Sequence, residues 1–106
     1  MSKVTNIILT SSVIENEEFV IKEIEKFILR GNSLKIVSIN NKTLPEGWYG
    51  GSKHFESNVF IGAYNYLDIK SFINHLKIIK WKDPECVQLF YLEEDDYRFK
   101  MISLFE

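Results

Sequence analysis

Residues 55–79 read FESNVFIGAYNYLDIKSFINHLKII and combine a strand pattern with a helix pattern. In the first half, every second side chain falls on one side of an extended strand. That set is Phe55, Ser57, Val59, Ile61 and Ala63. In the second half, Asp68 is a residue type that caps helix starts, and the apolar residues after it fall on one helical stripe. The stripe consists of Ile69, Phe72, Ile73, Leu76 and Ile79.

The N-terminal part of the chain repeats this order of strand and helix. The β-branched run at residues 4–9 predicts a strand. Ser12 and Glu15 match a capping box, in which the serine hydroxyl serves a free amide and the glutamate reaches back to the cap. The helix predicted from this start ends at Gly31, which can adopt a left-handed conformation. Its apolar residues are Val20, Ile24, Phe27 and Ile28.

Three more strands are predicted, at residues 34–39, 86–92 and 97–105. A long loop at residues 42–53, which contains Pro45 and three glycines, follows the first of these strands. Asp83 and Pro84 break the chain before the second. Four consecutive acids separate the last two strands, which predicts a hairpin with a polar turn.

The resulting order is β-α-β-β-α-β-β. Its first six elements match the ferredoxin-like split β-α-β arrangement, and the last strand is an addition to it. We therefore predict a single α+β domain over residues 1–106, with a ferredoxin-like β-α-β-β-α-β core and an additional C-terminal strand. Right-handed crossovers would place both helices on one face of a sheet dominated by antiparallel pairs.

The second face of this sheet is expected to be partly apolar and aromatic. Phe60 and Tyr64 oppose the set that contains Val59 and Ile61. In the fourth strand, Phe90 and Leu92 lie on the side opposite to Val87, Leu89 and Tyr91. The long loop, a second copy or another protein could cover such a face.

Composition disfavours several classes of function. The chain has 106 residues and a formal net charge of −2, which supplies no field to attract a phosphate backbone. Its one cysteine cannot form an internal disulfide, which suits a reducing compartment. The N-terminal apolar run is too short for a signal peptide, and no segment reaches the length of a membrane span. We expect a cytoplasmic protein, from a bacterium by its Ile, Lys and Asn content, that binds neither nucleic acid nor membrane.

No catalytic or metal-binding constellation emerges from the residue pattern. His54 and His75 are not spaced as ligands, and Cys86 has no CxxC partner. The glycine-rich stretch at residues 47–53 lacks the glycine spacing and the following helix of a phosphate-binding loop. No cofactor, no metal and no catalytic residue are therefore assigned.

Two groups of residues are candidates for contact with a protein partner. Trp48 and Tyr49 are large side chains in the glycine-rich loop, and aromatic residues dominate interface hot spots. They could equally fold back onto the core. The four acids of the last hairpin could attract a basic partner, or simply form a solvated turn that blocks edge association. These acids are Glu93, Glu94, Asp95 and Asp96.

Residues 50–68, GGSKHFESNVFIGAYNYLD, and residues 81–89, WKDPECVQL, give the chain a resemblance to the small immunity proteins of bacterial toxin systems. The resemblance concerns general character over the C-terminal two thirds and transfers no family residues. It implies a cytoplasmic inhibitor with one tight protein partner.

The sequence thus leads to a first hypothesis of a non-catalytic immunity protein that blocks the active site of a cognate toxin domain. The alternative is a small ferredoxin-like enzyme or ligand-sensing homodimer with a pocket between sheet and helices. A third possibility is a structural subunit whose aromatic sheet face pairs with another copy.

Overall fold

The computed structural model describes residues 3–13, 15–39 and 57–105. The strands are β1 (Val4–Ser11), β2 (Ile28–Leu29), β3 (Asn32–Ser33), β4 (Val37–Ser38), β5 (Asn58–Asn65), β6 (Val87–Leu92) and β7 (Lys100–Ser103). The helices are α1 (Glu17–Glu25) and α2 (Ile69–Ile78), with a 3₁₀ turn at Pro84–Cys86 before β6. The predicted loop at residues 42–53 lies outside the described residues, as do Phe55 and His54.

Five of the strands form one antiparallel sheet in the order β4-β5-β1-β6-β7. The remaining two, β2 and β3, form a separate short hairpin. The predicted α+β class, with two helices and an antiparallel sheet, is confirmed, and β6 and β7 pair as the expected hairpin. Three strands are shorter than predicted: residues 34–39 contribute only β4, residues 97–105 only β7, and β6 starts one residue later, after the 3₁₀ turn.

One face of the sheet forms the core together with both helices. Burial alternates strictly along β1, where Ile7 and Leu9 are almost fully buried. Helix residues from α1 and α2 belong to the same cluster; they are Val20, Ile24, Phe72 and Leu76. On β5 the buried apolar side chains are Phe60 and Tyr64, whereas Val59 and Ile61 point to the opposite face. The aromatic pair expected on the second face therefore belongs to the core, because the larger side chains fill the space beneath the helices.

The start of α1 differs from the predicted capping box. The cap is Asn16, whose side chain accepts a hydrogen bond from the Phe19 amide at 3.2 Å. Glu15 lies before the helix and is buried. Its two carboxylate oxygens accept hydrogen bonds from the amides of Lys82 and Asp83, at 2.9 and 3.0 Å. Glu15 does not reach back to Ser12, because its carboxylate serves a segment nearly seventy positions away in the chain.

The end of α1 also differs from the prediction. The helix stops at Glu25, and the chain continues into the β2–β3 hairpin. Gly31 has the expected positive φ of 83°, but it shares the hairpin turn with Arg30, whose φ is 52°. Two consecutive residues of positive φ are typical of the tight type I′ turn. Phe27, released from the helix, packs edge-on against Phe72 with ring centroids 5.5 Å apart.

Helix α2 forms as the sequence predicts. The Asp68 side chain caps it by accepting from the Ser71 amide at 3.3 Å, and from the Ser71 hydroxyl at 3.0 Å. These hydrogen bonds lower the pKa of Asp68 below its ordinary value. At the other end of the helix, Nε2 of His75 lies 2.7 Å from the Glu23 carbonyl oxygen and joins α2 to α1.

Candidate protein-binding surface

The acidic turn between β6 and β7 has a backbone held by one of its own carboxylates. Asp96 accepts a hydrogen bond from the Glu93 amide at 2.9 Å, and its own amide donates to the Glu93 carbonyl at 3.0 Å. The second carboxylate oxygen of Asp96 lies 3.4 Å from the ammonium of Lys100. This carboxylate raises the pKa of Lys100 above its ordinary value. Asp96 is therefore a residue that shapes the loop at positions 93–99, not a free contact.

Two of the four predicted acids remain available to a partner. Glu94 and Asp95 are exposed at the tip of the 93–99 loop, whereas Glu93 and Asp96 are half-buried. The loop also presents a fully exposed Tyr97. The tip thus combines two carboxylates with one aromatic ring on a backbone that Asp96 holds in place. Tyr97 was missed as a candidate because the sequence assigned it to the last strand.

The other predicted contact residues, Trp48 and Tyr49, lie outside the described residues, so their contact with a partner stays a prediction.

The open face of the sheet, opposite the helices, carries a row of apolar side chains that crosses all five strands. Directly paired residues on neighbouring strands share a face, and the pairing runs without interruption from one sheet edge to the other. We call this set the apolar row; it consists of Val37, Ile61, Ile8, Phe90 and Met101. Val37 is 48% exposed, Ile61 46% and Met101 51%. The expectation of a partly apolar second face is thereby met, although its members on β5 are Val59 and Ile61.

The rows on either side of the apolar row are uncharged. Nine strand residues flank it on this face; they are Val4, Asn6, Thr10, Val59, Ala63, Asn65, Gln88, Leu92 and Ser103. None of them carries an ionisable side chain. Within the five described strands of the sheet, the open face is therefore free of formal charge, which is unusual for a surface that only meets water.

A polar cluster lies at the start of β5, near the start of α1. The Asn58 side chain donates to Glu17 Oε2 at 2.8 Å, and the Ser38 hydroxyl donates to the same oxygen at 2.7 Å. The side-chain oxygen Oδ1 of Asn58 accepts from the Glu15 amide at 2.5 Å. Each polar atom in this set has a partner of the opposite type, so the cluster connects α1, β4 and β5 through hydrogen bonds.

The remaining candidates for chemistry have structural contacts. Cys86 is half-buried at the end of the 3₁₀ turn, where its carbonyl accepts from the Ser12 amide at 3.3 Å. His75 is used in the contact between helices. In the described part of the chain, no group of three or more His, Cys, Asp and Glu residues is arranged to hold a metal ion. No helix among the described residues has the length and apolar character needed to cross a membrane.

Comparisons with known proteins add no relatives: no protein-family model, no curated protein and no solved structure matches the chain.

Proposed function

We propose that this chain is a non-catalytic protein-binding domain, an immunity protein that inhibits a cognate bacterial toxin by covering its active site. The observation that carries the proposal is the tip of the 93–99 loop. There a fully exposed Tyr97 stands beside two exposed carboxylates on a backbone held by Asp96. An ordered loop of this kind loses little conformational entropy when it binds.

The chemistry of the tip favours a basic partner. Glu94 and Asp95 would steer a positively charged toxin surface, because long-range attraction between opposite charges raises the association rate. Tyr97 would then be buried at the centre of the contact, where tyrosine is a frequent hot-spot residue. The toxin's active site becomes inaccessible because the domain occupies it, and no reaction on the inhibitor's side is required. Such an inhibitor acts in the cytoplasm, where the toxin threatens its producer.

The ferredoxin-like interpretation of the core belongs to the same proposal. β1 and β4 are both antiparallel to β5, which lies between them, so β1 and β4 are parallel to each other. β5 and β6 are parallel in the same way, with β1 between them. Two β-α-β units, each split by an inserted antiparallel strand, support a ferredoxin-like core. β7 is then the additional strand, and its hairpin with β6 presents the binding loop.

The experiment starts with capture of partners from native lysate on the tagged protein, with washes at low and then high salt. The captured partner is purified, and its activity is measured as the inhibitor is added. We expect complete inhibition at one inhibitor per partner molecule, and an association rate that falls as salt is raised. A partner that keeps its activity when saturated with the inhibitor would rule out the proposed function.

Matched variants then test the loop. In Glu94→Lys/Asp95→Lys the association rate should fall by at least about tenfold at low salt, because steering is lost. The control is Glu18→Lys/Glu85→Lys, which changes the net charge equally at two exposed acids elsewhere. Tyr97→Ala should instead raise the dissociation rate. Equal effects of the two charge reversals would remove the loop from the contact.

A further inference from the structure

We infer that the open face of the sheet is a homodimer interface, occupied by the same face of a second copy of this chain. This inference is independent of the proposed function, since it concerns the face at the apolar row and not the 93–99 loop. It rests on the charge, the size and the volume distribution of this face.

Charge is the first reason. The strand residues described on the open face carry no ionisable group, so a highly charged partner would have to leave its charges unpaired in the contact. A second copy brings an equally uncharged face by symmetry. With a net charge of −2 per chain, two copies repel each other only weakly.

Size is the second reason. The sheet has five strands, and its longest strands, such as β1, have 8 residues. The edge strands are shorter, with 2 residues in β4 and 4 in β7, so at roughly 4.8 Å between strands and 3.3 Å per residue the strands of the face cover about 440 Å². Two such faces together bury about 900 Å², slightly less than the roughly 1,000 Å² expected of a stable interface and within the range of weak, transient complexes. A face of this size supports a dimer of modest affinity.

The distribution of volumes along the apolar row is the third reason, and it defines the arrangement. Ile8 is at the centre of the row, with the smaller side chains of Val37 and Ile61 on one side and the larger ones of Phe90 and Met101 on the other. A two-fold axis in the interface, parallel to β1 and beside Ile8, brings large against small. Phe90 then meets Ile61 of the second copy, and Met101 meets its Val37. Facing sheets pack well when large and small residues alternate across the interface.

The first test compares two lysine substitutions of exposed isoleucines by sedimentation equilibrium. The protein concentration runs from about 1 µM to about 1 mM, the range in which a dimer with such an interface should dissociate. The wild type should form dimers at the upper end. Ile61→Lys should raise the dimer dissociation constant by at least about a hundredfold, because two unpaired charges would be buried. The control Ile78→Lys, at a position 75% exposed on α2, should leave it unchanged.

The second test examines the pairing across the axis. Phe90→Glu should also abolish dimers by itself. A mixture of Ile61→Lys and Phe90→Glu chains should form a heterodimer, because one lysine then faces one glutamate and the other pair stays Phe90 against Ile61. Circular dichroism and thermal melting of each variant show that it is folded. A wild type that remains monomeric at about 1 mM, or variants that fail to complement each other while folded, would overturn the inference.

Discussion

The ring of Tyr64 lies over Gly62, its neighbour two residues earlier on the core-facing side of β5. A Cβ atom at Gly62 would be 2.5 Å from Cζ of the ring and 2.9 Å from Cε2. The space above Gly62 allows the ring to lean along the strand, and its hydroxyl donates a hydrogen bond to the Lys35 carbonyl. Gly62 is therefore required for packing, since no positive φ explains it.

Gly62→Ala should lower the free energy of unfolding by roughly 1–3 kcal/mol, the usual cost of forcing an extra methyl group into a filled core. Urea denaturation measures this loss. In a Tyr64→Leu background the same change should cost much less, because the clash partner is gone, and the two substitutions should show strong coupling. Gly31→Ala is the control: its Cβ meets nothing within 4 Å, so its cost arises from the positive φ and should not depend on Tyr64. Equal costs of Gly62→Ala in both backgrounds would contradict the packing explanation.

The Tyr64 hydroxyl should make stability depend on pH in the alkaline range. Burial, with a smaller contribution from the charge of Glu25, raises the pKa of Tyr64 well above its ordinary value. Because the pKa of Tyr64 is higher in the folded state, its contribution to stability is fully present below the pKa of the unfolded state, near 10. This contribution is lost as the pH rises from there towards the pKa of the folded state. At pH 7, Tyr64→Phe should cost about 0.5–1.5 kcal/mol, the net value of one hydrogen bond.

Above about pH 10 the stability advantage of the wild type over Tyr64→Phe should shrink, because only the wild-type unfolded state gains from ionising this phenol. Urea denaturation of both proteins between about pH 7 and pH 11 gives the difference directly, since all other titrating groups are common to both. A difference that stays constant across this range would contradict the assignment to Tyr64.

Glu15→Ala should destabilise the protein by roughly 2–4 kcal/mol, because the amides of Lys82 and Asp83 lose a charged acceptor in a partly buried segment. Glu15→Gln keeps one acceptor oxygen and should cost less. Amide hydrogen exchange should accelerate at Lys82 and Asp83 in Glu15→Ala before it accelerates elsewhere. The exposed Glu18 is the control position, and its replacement by alanine should change stability by no more than about 0.5 kcal/mol. Unchanged exchange at Lys82 and Asp83 would show that Glu15 does not hold this segment.

The Asp68 cap should contribute stability that disappears in acid. The lowered pKa of Asp68 arises first from its hydrogen bond with the Ser71 hydroxyl and then from the Ser71 amide. Because the pKa of Asp68 is lower in the folded state, the ionised carboxylate contributes stability above the pKa of the unfolded state, about 3.8. This stability is lost as the pH falls through the pKa of the folded state. Carboxyl NMR titration should show the Asp68 pKa below that value, and Ser71→Ala should raise it. Asp68→Asn should keep the helix cap but lose the pH dependence. An Asp68 pKa that is unaffected by Ser71→Ala would contradict this cause.

The elements predicted well from the sequence are those whose signals are local. Helix α2 has its cap at Asp68 and its apolar stripe within one segment, and the structure repeats both. The end of α1 was predicted wrongly because Phe27 continues the helical spacing of Ile24. Its ring instead packs against Phe72, on a helix that follows much later in the chain. In the candidate surface, the acidic turn was visible as four consecutive acids. The different role of Asp96, compared with the exposed Glu94 and Asp95, was not visible in the sequence. It depends on the pairing of β6 with β7, which brings Lys100 close to Asp96.

The sequence by itself determined the α+β class, the number of strands in the main sheet and the helix α2, because alternation, helical spacing and capping are properties of neighbouring residues. Tertiary structure decided which side of β5 is buried, since both of its alternations carry apolar residues and only helix packing favours Phe60 and Tyr64 over Val59 and Ile61. It also decided the role of Glu15, because a carboxylate in a buried position binds whichever free amides the fold brings to it. The apolar row is likewise a product of strand order, since its five residues come from five separate strands that become neighbours only when the sheet is formed.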